Sequence, residues 1–98
     1  MRLSLYVHPD GVEPAPGHLV VYDVERGEAR FGAAAADGRA LVWELAEYGG
    51  EGALLSAELE LDSAAEWVLR CDRIDFPRGG VAYRHTHPGG GIRYLLFG

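Results

Sequence analysis

The sequence predicts a domain built almost entirely from β-strands, and three observations carry that expectation. Apolar residues alternate with polar ones over several short runs, which is the period of a half-buried strand. Glycine- and proline-rich breaks separate these runs. The one small-residue tract, residues 33–36, meets Asp37-Gly38 at once, and four alanines do not nucleate a helix alone.

Taken in order, Leu3, Leu5 and Val7 alternate with Ser4, Tyr6 and His8, giving a first strand that Pro9-Asp10-Gly11 stops. Pro14, Pro16 and Gly17 extend the break into a loop whose flanking His8 and His18 read as solvated. Residues 19–24 are β-branched and apolar enough for a second strand, and Arg26-Gly27 is a turn from which residues 28–32 return as a third. Residues 40–48 fit two periods: Leu41, Leu45 and Tyr48 are spaced as on a helix, Leu41, Trp43 and Leu45 as on a strand. Strand is the preferred reading. After the glycine-rich break at residues 49–52, Leu55, Ala57, Leu59 and Leu61 alternate with Ser56, Glu58, Glu60 and Asp62, so a strand with one buried and one acidic, solvated face is expected. Residues 53–76 read as a hairpin whose second strand changes phase after Cys71, with a β-bulge near Asp72 or Arg73 restoring a common face. Residues 81–87 and 92–97 complete the set. Trp43 and Trp67 read as core, and Cys71 as a small buried hydrophobe.

Ninety-eight residues make one domain, and 48% apolar against 24% charged residues is ordinary for a folded globular chain. All nine basic residues are arginine, which excludes a lysine Schiff base and a Walker A loop. None of the three serines, Ser4, Ser56 and Ser63, stands in a nucleophile elbow. Fifteen acids set the net charge at −6 and the arginines are dispersed, so neither nucleic acid nor an anionic membrane surface is an expected partner. One cysteine excludes an internal disulfide and fits a reducing cytoplasm, the expected location. No apolar stretch approaches the roughly 20 residues of a membrane helix.

The chemistry in the sequence is concentrated at His85-Thr86-His87. On a strand, Tyr83, His85 and His87 share one face, with both imidazoles near enough to reach a single divalent cation at about 2.0–2.1 Å. Pro88 and Gly89 to Gly91 then turn the chain. Spacing alone leaves a second reading open, in which the histidines are solvent-facing or hydrogen-bonded. Arg93 offers a planar donor fork for a carboxylate or phosphate, or is a surface arginine. Tyr83 is a pocket hydroxyl or a packed aromatic.

Gly79, five residues, His85-x-His87 and Gly98 together resemble the first motif of the cupin superfamily, with Pro88 and the glycine turn in matching places. The resemblance covers residues 53–98, with no comparable match over residues 1–52. It implies a single cupin-like antiparallel β-barrel or jelly roll. It also implies a divalent metal (iron, manganese, nickel or zinc) held by the two histidines, a glutamate and a third histidine from a second motif. The glutamate position holds Gly91 or Ile92, and the second motif would lie beyond Gly98. Only two of the four family ligands, His85 and His87, are therefore in place. Glu58, Glu60, Asp72 and Asp75 are the acids in this chain that could substitute, although the strand phase turns Glu58 and Glu60 away from the barrel interior. The expected function is small-molecule or metal binding in the barrel, with metal-dependent catalysis left open and a non-catalytic ligand-binding or dimerisation module as the alternative. The apolar run at residues 92–97 needs a cover, and a homodimer or more chain is expected to supply it.

Overall fold

In a computed structural model the chain is described at residues 1–59, 69–71, 73, 92, 94 and 96. These residues form an open, five-stranded antiparallel sheet with no helix among them: β1 (Arg2–His8), β2 (His18–Asp23), β3 (Glu28–Phe31), β4 (Ala40–Ala46) and β5 (Leu55–Glu58), in the spatial order β3-β2-β4-β1-β5. The all-β expectation holds, and the ambiguous run at residues 40–48 is a strand. Two antiparallel neighbours decide it: β4 pairs with β1 from Arg2↔Ala46 to His8↔Ala40 and with β2 from His18↔Leu45 to Asp23↔Ala40. Tertiary pairing outweighs an undecided local propensity.

Local chemistry explains the β2–β3 hairpin. The Asp23 carboxylate accepts a hydrogen bond from the Arg26 amide at 3.1 Å, and the Asp23 carbonyl accepts one from the Gly27 amide at 2.8 Å. Gly27 closes the turn at φ +65°, a conformation that costs glycine little. Asp23 itself is buried, and its charge is met by Arg26 at 3.8 Å and Arg30 at 4.0 Å.

Register divides the sheet into two faces. On the first, Leu5, Tyr22 and Leu41 are buried, with Val7, Trp43, Ile92, Tyr94 and Leu96 packed against them. Three polar contacts fasten the later residues to this face: Trp43 Nε1 donates to the Ile92 carbonyl at 3.2 Å, Arg39 to the Tyr94 hydroxyl at 2.9 Å, and Arg73 to the Tyr22 hydroxyl at 2.7 Å. The Arg39 guanidinium also lies 5.9 Å from the Tyr94 ring centroid, within cation–π range. On the second face Leu19, Val21, Ala36, Ala40 and Val42 are buried.

Several expectations need correction. The apolar side of β5 is not core: Leu55 is 49% exposed and all four residues of the strand are exposed, because β5 has a neighbour, β1, on one side only among the described residues. Nor is its polar side simply solvated. Ser56 bonds the Ser4 hydroxyl at 2.9 Å and accepts from Arg2 at 2.9 Å, while Glu58 takes the N-terminal ammonium at 3.1 Å and Arg2 at 3.6 Å. Cys71 is half-buried rather than fully buried, and Trp43 is half-buried too. Residues 69–71, 73, 92 and 94 are irregular rather than strand. The rest of the hairpin at 53–76, its bulge partner Asp72, Trp67 and the strand at 81–87 lie outside the described residues.

Candidate functional site

Chain path creates a concavity on the second face. Because β4 lies between β1 and β2, the β1–β2 connection must cross the sheet, and the β3–β4 connection returns over the same face. A bridge between Val12 and Ala36, with N···O distances of 2.9 and 3.0 Å, ties the two connections together. Gly11 permits the approach: its φ is +108° and a Cβ there would stand 2.6 Å from the Ala36 carbonyl oxygen.

Beneath the tied connections is a pocket of about 250 Å³. Buried Leu19, Val21 and Val42 form its floor, and Val12, Ala15 and Ala34 supply apolar walls. Four polar side chains stand around it: Tyr6, His8, Glu13 and Glu44. Tyr6 and His8 reach it by alternation along β1, and Glu44 from β4 across from Ser4 and Leu19. The Tyr6 hydroxyl accepts the Gly50 amide at 3.0 Å. A Cβ on Gly49 would be 3.1 Å from Glu44 Oε1 and 3.7 Å from the Tyr6 hydroxyl, so these two polar groups converge at the glycine turn. Neither carboxylate, Glu13 nor Glu44, has a hydrogen-bond or ion-pair partner among the described residues.

The residues singled out from the sequence are elsewhere or undescribed. His85, His87, Tyr83 and Arg93 lie outside the described residues, as do Glu60, Asp72 and Asp75. Glu58 pairs with the N-terminal ammonium and Arg2. Among the described residues no group of three or more histidine, cysteine or acidic side chains is placed to hold a metal ion. The donor set of the motif itself does not fit a closed metal site, since Gly91 and Ile92 offer no ligand side chain and structural zinc or iron sites want three or four.

His18 is exposed, as expected, whereas His8 is half-buried against the pocket. Sequence reading missed Tyr6, His8, Glu13 and Glu44. Ser4, Tyr6 and His8 did show as the polar side of a strand, but alternation does not say that two connections will fold back over that side. No helix of the described residues is long and apolar enough to cross a membrane. Compared with known proteins, the chain matches no family model, no curated protein and no solved structure.

Proposed function

We propose that the chain is a non-catalytic ligand-binding module whose pocket on the second sheet face receives a small molecule. The observation that carries this reading is the pocket itself, a mostly apolar concavity with a few polar side chains in its lining, which is the usual composition of a small-molecule site. Its volume of about 250 Å³ suits a ligand smaller than drug size, for which sites run to about 300–1,000 Å³. Ala15→Trp tests it, because Ala15 lines the pocket from an exposed connection and a large side chain there takes up the space a ligand would fill. A fragment screen read by amide chemical shifts is expected to move Leu19, Val21 and Val42 in the parent and not in the variant. A screen in which no fragment moves these amides overturns the reading.

The spacing of Gly79, His85, His87 and Gly98 favours a second reading, a cupin-like barrel that binds iron, manganese, nickel or zinc at His85 and His87, with Tyr83 and Arg93 as ligand contacts. Two imidazoles need further ligands from outside the motif, which a homodimer would bring. The reducing compartment that a lone cysteine suits is the cytoplasm. Metal analysis of untagged protein is the test: stoichiometric metal lost in a His85→Ala/His87→Ala variant supports this reading, and metal content indifferent to that change removes it.

A further inference from the structure

We infer that the pocket selects a small protonated amine carrying a short apolar body, with Glu44 as its counter-charge. This rests on the reading of the domain as a small-molecule-binding module and adds the ligand's charge class. Four observations carry it. The floor is apolar, so part of the ligand must be apolar to gain from burial. The described lining contains no arginine and the sequence contains no lysine, so an anion entering the pocket meets two carboxylates and no fixed positive charge. Glu44 is half-buried beside buried Leu19 and Val42, yet has no partner among the described residues. A carboxylate held part-way out of water without a partner gains more from an arriving ammonium than an exposed one does. Finally, Glu44 and Tyr6 both line the pocket, and the Glu44 carboxylate and the Tyr6 hydroxyl lie near one another, 3.1 and 3.7 Å from where a Cβ on Gly49 would stand. An ammonium has three donors, and these two oxygens can accept two of them.

Glu13, exposed on the crossing connection, adds a second negative charge at the mouth, and the net charge of −6 raises the local concentration of small cations. His8 follows Tyr6 on the same face of β1 and, among the described lining residues, is the group able to carry positive charge.

The test uses three probes of nearly one shape on the whole chain: isopentylamine, isopentanol and isovalerate. Amide chemical-shift titration is expected to give saturable shifts at Leu19, Val21, Val42 and Glu44 with the amine, at least tenfold weaker binding of the alcohol, and no binding of the acid. Glu44→Gln keeps the side-chain shape and is expected to bring the amine down to the level of the alcohol. Equal binding of amine and alcohol to the parent, or tighter binding of the acid, overturns the charge selection and leaves the pocket reading standing. Failure of all three probes to move the floor amides counts against both. The parent comparison does not depend on the variant folding, so the inference stays open to refutation even if Glu44→Gln is unstable.

Discussion

Glycine positions separate two costs that are usually confounded. Gly11 and Gly32 both have positive φ, +108° and +82°, but only at Gly11 would a Cβ meet backbone, 2.6 Å from the Ala36 oxygen; at Gly32 nothing lies within 4 Å. Alanine at Gly32 is therefore expected to cost only the left-handed backbone penalty, about 1–2 kcal/mol. Gly11→Ala adds a clash with a carbonyl that is itself bonded to the Val12 amide, and is expected to cost more and to loosen the bridge that ties the two connections beside the pocket. Thermal denaturation reads the first effect, at about 4–8 °C per kcal/mol for a domain of this size. Exchange of the Val12 and Ala36 amides with deuterium reads the second. Equal melting temperatures for the two variants would show that the connection moves aside and that the close approach is not needed.

At the scale of the strands, burial does not follow the clarity of the alternation. Leu41 on β4 is 1% exposed and Leu55 on β5 is 49% exposed, though the alternation around Leu55 is the clearer strand signal of the two. Leu41→Ala is expected to destabilise by about 2–5 kcal/mol, the range for a buried leucine that leaves a cavity. Leu55→Ala is expected to stay within about 0.5 kcal/mol, as at an ordinary surface site. Urea unfolding measures both, and a loss at Leu55 as large as that at Leu41 would mean that β5 is covered in solution. The same pair shows how far the sequence was legible. β1, β2, β3 and β5 could be read from period, β-branched content and glycine or proline breaks, because those signals are local, whereas β4 fitted two periods and only its pairing with β1 and β2 decides it. Which strand is central could not be read, since β4 acquires its two neighbours from the crossing of the β1–β2 connection, and nothing within residues 40–46 encodes that crossing. The pocket was illegible for the same reason: Tyr6, His8 and Glu44 stand on strands, Glu13 on a connection, and only the topology brings them together.

For the whole molecule, the first sheet face sets the question of association. Ile92, Tyr94 and Leu96 pack on Leu5, Tyr22 and Leu41, so half of the apolar run at residues 92–97 finds cover within the chain. The flanks of the face are a separate matter. Register places Phe31 of β3 and Leu55 of β5 on the same side as Leu5 and Trp43, at opposite ends of the sheet, and they are 58% and 49% exposed. Five strands about 4.8 Å apart set these side chains close to 20 Å from one another. A single small contact does not span both, whereas a second copy related by a two-fold axis would bury one flank against its equal. The proposed homodimer is thus expected to depend on one flank and not on the centre of the face. Light scattering on the eluting protein should give twice 10.6 kDa at micromolar concentration, with either Phe31→Glu or Leu55→Glu, but not both, returning the chain to monomer. A parent that elutes as a clean monomer removes the homodimer. A dimer indifferent to both substitutions places its interface away from these flanks.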